Sequence, residues 1–110
     1  MPEQKTYSVL VTDLFHYMDK EGATLVDGFS TWEDARAYAR ARTWSSVQEL
    51  RTQGMGLDEL KQRFLIFGET AMVIGGQNYS AWDDIDYFIA NEPRPEEADW
   101  SAIGRRARGA

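Results

Sequence analysis

The sequence predicts a small α+β domain with element order β-β-α-α-β-α. The expected architecture is a three-stranded, mainly antiparallel sheet with helices packed on one face. Three observations carry this. Two short runs of β-branched and aromatic residues, 6–12 and 23–29, flank a polar connection. An alanine-rich helical stretch opens at Thr31. A third unit, 54–76, holds five of the nine glycines, which bracket a helical stripe and then an apolar run.

Residues 6–12, TYSVLVT, read as a strand. Tyr7, Val9 and Val11 alternate with Ser8, Leu10 and Thr12, and Leu10 makes the second face partly apolar, which suits a well-covered strand. Residues 13–22, DLFHYMDKEG, form a connection with polar ends and aromatics in the middle. Residues 23–29, ATLVDGF, read as the second strand, antiparallel to the first. Gly28 inside it marks a bulge or a close backbone approach.

Thr31 is the expected N-cap of a helix over 31–52, with Glu33 and Asp34 at the positive end of its dipole. The apolar positions do not form one stripe. Ala35, Tyr38 and Ala39 share a face, and Trp44 points to roughly the opposite side at about 100° per residue. Such a helix is either covered on two sides or bent near 43–46. Gly54 and Gly56 end it. Leu57, Leu60, Phe64 and Phe67 then give an i, i+3, i+7, i+10 stripe. Gly68 occupies the place of a left-handed C′ residue. Residues 70–74, TAMVI, read as a buried third strand closed by Gly75 and Gly76, with sheet order 2-1-3. Leu57, Leu60, Phe64, Phe67, Met72 and Ile74 are the expected core of this unit. Ser80 and Asp83 suggest a capping box for a last helix over 80–91, with Ile85, Phe88 and Ile89 inward. Pro93 and Pro95 stop it.

One domain over residues 1–91 and a mobile tail over 92–110 are expected, because the tail offers only Trp100 and Ile103 as large apolar residues. The formal charge of −6 lies wholly in residues 1–91, since the tail carries four acids and four bases. An acidic folded part repels a phosphate backbone, so no nucleic-acid partner is expected. No apolar run reaches the roughly 18 residues of a membrane span, so no membrane is expected either. The first residues show neither a basic nor an apolar segment, so no signal peptide is expected. Cysteine is absent. That excludes disulfides and thiol chemistry and fits a cytoplasmic location.

His16 is the only histidine. With Asp13, Tyr17 and Asp19 it forms the one candidate ligand site, on the 13–19 hairpin: an imidazole oriented by a carboxylate, or a thin metal site. The competing reading is a hairpin whose aromatics lie over the sheet while its acids face water. Asp83, Asp84 and Asp86 suit a helix first turn without any cation. Gly75 and Gly76 follow a strand but lack the lysine and spacing of a phosphate loop. No catalytic residue, metal or cofactor is therefore assigned. Four tryptophans are many for a small core. Trp44 is expected to be partly exposed beside Arg40, giving a candidate interaction surface; the alternative packs it under the 54–56 turn.

The segments YSVLVTDLFHYMD, GFSTWEDARAYARAR, GMGLDELKQRFLIFGE and YSAWDDIDYF, in that order, resemble a family of small, uncharacterised bacterial proteins across about residues 7–91. The resemblance implies a compact α+β fold in a bacterial cytoplasm. It implies no activity and no functional residue. The expected function is a non-catalytic protein-interaction or regulatory module, with an unknown protein partner or a homodimer. The alternative is a small-ligand or metal-dependent activity around His16.

Overall fold

The computed structural model describes residues 6–15 and 22–107. The chain runs β1 (Tyr7–Asp13), β2 (Ala23–Phe29), α1 (Trp32–Leu50), α2 (Leu57–Phe67), β3 (Glu69–Ile74), β4 (Tyr79–Ser80), a 3-10 turn (Ala81–Asp84), α3 (Ile85–Ala90), α4 (Pro95–Ala98) and α5 (Trp100–Ala107). The α+β class and the antiparallel sheet are as the sequence predicts. The sheet has four strands rather than three, in the order β2-β1-β3-β4. The expected 2-1-3 order is present, and the two-residue β4 is added beside β3.

Local chemistry explains the boundaries. Thr31 Oγ1 accepts the Asp34 N–H at 3.1 Å and starts α1. Ser80 Oγ accepts from Trp82 N at 3.3 Å, so the turn it caps is a 3-10 turn rather than a capping box with Asp83. Gly28 has φ 97° beside a register shift between Tyr7 and Val9, which is the expected bulge. Gly68 corrects its expectation. Its φ of −80° is ordinary extended backbone, and a Cβ there would meet the Phe64 ring at 2.3 Å. Close approach, not handedness, requires glycine at that position.

The helix α1 is unbroken over 19 residues and is covered on two sides. Its first half places Ala35, Tyr38 and Ala39 against Val9, Val11, Phe29 and Val73 of the sheet. Its second half places Trp44 and Val47 against Leu60, Phe64, Ile85 and Phe88. One helix therefore serves two core clusters, which is why its apolar residues do not share a stripe.

Two expectations are overturned. Four of the six residues expected as core of the 54–76 unit are exposed: Leu57, Phe67, Met72 and Ile74 lie outside, while Leu60 and Phe64 are buried. The helices cover only the face of β3 that carries Ala71 and Val73, so the alternate residues face outward. The residues expected to form a tail instead fold into α4 and α5. Pro95 occupies the first turn of α4, and Glu97 Oε1 accepts the Arg94 N–H at 3.0 Å. That backbone bond, then the Arg94 side chain, holds the Glu97 carboxyl below its ordinary range. Trp100, Ile103 and Ala107 of α5 pack against the first core cluster. No helix among the described residues is long and apolar enough to cross a membrane.

Candidate functional site

Of the candidate ligand residues, only Asp13 belongs to the described part of the chain; His16, Tyr17 and Asp19 lie outside it. Asp13 ends β1, and its Oδ1 accepts the Phe15 N–H at 2.9 Å. It lines a cleft of about 250 Å³ at the end of the sheet, together with Arg42, Ser46, Glu49, Glu69 and Trp100.

The polar groups of that cleft hold elements together. Arg42 Nε donates to Glu69 Oε1 at 2.9 Å, and its Nη1 donates to the Tyr38 hydroxyl at 2.7 Å. Its guanidinium carbon lies 4.2 Å from the Trp100 ring centre. Burial disfavours the Arg42 charge, but Glu69 and the Tyr38 hydroxyl outweigh that and hold its pKa above the ordinary value. Ser46 Oγ accepts the Glu69 N–H at 2.9 Å. These bonds tie α1 to the start of β3 and to α5.

The expected interaction surface at Arg40 and Trp44 is corrected. Trp44 is only 3% exposed. Its ring stacks on Phe88 at 5.0 Å and meets the Tyr87 edge at 5.6 Å. Its indole N–H donates to the Asn91 carbonyl at 2.9 Å. The side of α1 that looked open from the sequence is the side on which α3 docks. Arg40 Nη1 donates to Asp84 Oδ2 at 2.7 Å, and the Tyr79 hydroxyl donates to the same oxygen at 2.6 Å. The pair is a tie between α1 and the 3-10 turn.

The surface that sequence reasoning missed is the face of the sheet turned away from the helices. The register places Leu25, Leu10, Met72 and Ser80 in one row across all four strands. On one side of that row lie Ala23, Thr12 and Thr70. On the other lie Ser8 and Ile74, with Asp27 accepting from the Ser8 hydroxyl at 2.7 Å. Leu25 is 52% exposed, Met72 40% and Ile74 44%. Asp27 is the one charged side chain among these ten positions, in a chain that is 27% charged overall. Leu25, Leu10, Met72 and Ile74 thus form one apolar stretch, with the hydroxyl side chains of Ser8, Thr12, Thr70 and Ser80 beside it. The sequence did carry the signal: both alternate sets of β3 are apolar, while the expected helices pack on one face only.

Among the described residues no group of three or more acids and histidines is placed to hold a metal ion. Comparison of the chain with protein-family models, with curated proteins and with solved structures finds no match.

Proposed function

We propose that this chain is a non-catalytic protein-interaction module of the bacterial cytoplasm and that its contact surface is the open face of the sheet. The observation that supports the reading is the row Leu25, Leu10 and Met72, with Leu25 and Met72 exposed, half-buried Leu10 between them and exposed Ile74 beside it. Large apolar side chains gathered on a face depleted of charge are the composition of an interface centre. The cysteine-free composition fits a reducing compartment. The ligand reading of the 13–19 hairpin keeps only Asp13 among the described residues, and the cleft beside it is crossed by bonds that serve the fold.

Site-specific photo-crosslinking tests this. A photoreactive side chain at position 72, in cells that naturally make the protein, is expected to give a discrete protein adduct. The same group at the exposed Gln62 of α2 is the control and is expected to give none. No adduct from position 72, or equal adducts from both positions, would overturn the reading.

A further inference from the structure

We infer that the open sheet face is occupied by the same face of a second copy of this chain. The inference rests on the reading of that face as a contact surface and adds the identity of the partner. Two observations select a second copy.

The first is charge. The chain carries −6 overall, so two copies repel unless their contact lies where the charge is not. The sheet face carries only Asp27, already bonded to Ser8. A basic partner would find a single acid there, and an anionic membrane surface would find no basic residue among the ten positions. An uncharged face is matched by another uncharged face.

The second is symmetry. An isologous contact requires that each residue group meet its own counterpart. A two-fold axis lying between the sheets and passing through Leu10 satisfies this. Run across the strands, the axis stacks the Leu25–Leu10–Met72 row on itself and lays Ser8 against Thr12. Run along the strands, it lays Leu25 against Met72 and Asp27 against Ile74. Neither arrangement brings the two Asp27 carboxylates together. Aligned sheets pack in this face-to-face manner about 10 Å apart.

Size sets how tightly the copies are held. The long strands rise roughly 20 Å and the sheet spans roughly 15 Å, a flat area on the order of 300 Å² per copy. That lies within the roughly 300–600 Å² of the largest patch on a typical monomer. It is small against the roughly 800 Å² per partner of a standard interface, so the dimer is weak and concentration-dependent.

Sedimentation velocity of the purified full chain reads this directly. The weight-average mass is expected to double between dilute and concentrated samples. Met72→Glu buries a charge in the contact and is expected to hold the mass at the monomer value throughout, with an unchanged thermal transition. Leu25→Thr keeps a strand-forming residue and is expected to weaken dimerisation about tenfold, which guards against a Met72 variant that fails to fold. A wild-type chain that stays monomeric at its solubility limit would overturn the inference, as would a folded Met72→Glu chain that dimerises normally. If the purified chain is monomeric while position 72 crosslinks to a different protein in cells, the second copy is excluded and the contact face stands. If neither is seen, both fall.

Discussion

Arg40, Arg42 and Arg51 direct their charges into the molecule rather than toward solvent. Arg40 reaches Asp84, Arg42 reaches Glu69, and Arg51 donates to the carbonyls of Ile89 and Phe88 at the end of α3. From sequence, a basic helix side reads as a solvated surface, because spacing along the helix is visible and a partner 27 to 44 residues away is not. The Arg40–Asp84–Tyr79 cluster carries a pH dependence. Burial, then the hydrogen bond and charge of Asp84, raise the Tyr79 pKa well above its ordinary value. The sign follows from that direction. Below about pH 10 the phenol is neutral folded and unfolded, and its bond to Asp84 contributes in full. As the pH rises past about 10 the unfolded chain loses this proton while the folded chain retains it, so stability falls. Urea unfolding at about pH 8 and about pH 11 should show this fall. Tyr79→Phe should lower stability by about 1 kcal/mol at the lower pH and flatten the alkaline decline.

Among the elements, α2 and its glycine boundaries separate two uses of one residue type. Gly56, before α2, has φ −71°, and a Cβ added there meets nothing within 4 Å. Gly68, after it, lies against the Phe64 ring and carbonyl. Gly56→Ala should therefore change stability by less than about 1 kcal/mol, the gain through the unfolded chain opposing the N-cap preference for glycine over alanine. Gly68→Ala should cost about 2–3 kcal/mol, because buried Phe64 must move. Thermal unfolding of the two variants checks the contrast, and equal effects would refute it. Element existence was legible here: the turn glycines, the Thr31 cap and the β-branched runs are local chemistry, and the elements they predict are present. Coverage was not. Periodicity shows that Leu57, Leu60, Phe64 and Phe67 share a helix side. It cannot show that only the middle two are buried. The same gap hid the contact surface. Met72 and Ile74 read as core in a strand with two apolar faces, and only the one-sided helix layer exposes them.

At the scale of the whole molecule, α1 is the shared wall of two cores, and the chain's last helices complete one of them. Composition made residues 92–110 look too poor in apolar groups to fold, and as an isolated segment they are. What composition omits is the surface that waits for them. Trp100 sets its edge against Tyr38 at 6.0 Å and its face against the Arg42 guanidinium, and Gly104 lets α5 lie directly over the Tyr38 ring. Tyr38 is itself in contact with Phe29 at 5.1 Å. Removing α5 would therefore open a path of solvent from Tyr38 into the core under β2. A chain ending at Asn91 should lose more stability than any single surface change. Trp100→Ala, which keeps the helix backbone, should cost about 2–4 kcal/mol, less than a fully buried tryptophan because Trp100 is half-buried. Urea unfolding followed by far-UV circular dichroism compares the three proteins. The expected order of midpoints is full chain, Trp100→Ala, then the shortened chain. A detached tail predicts something different: three coincident midpoints, since nothing in residues 92–107 would then bear on the core.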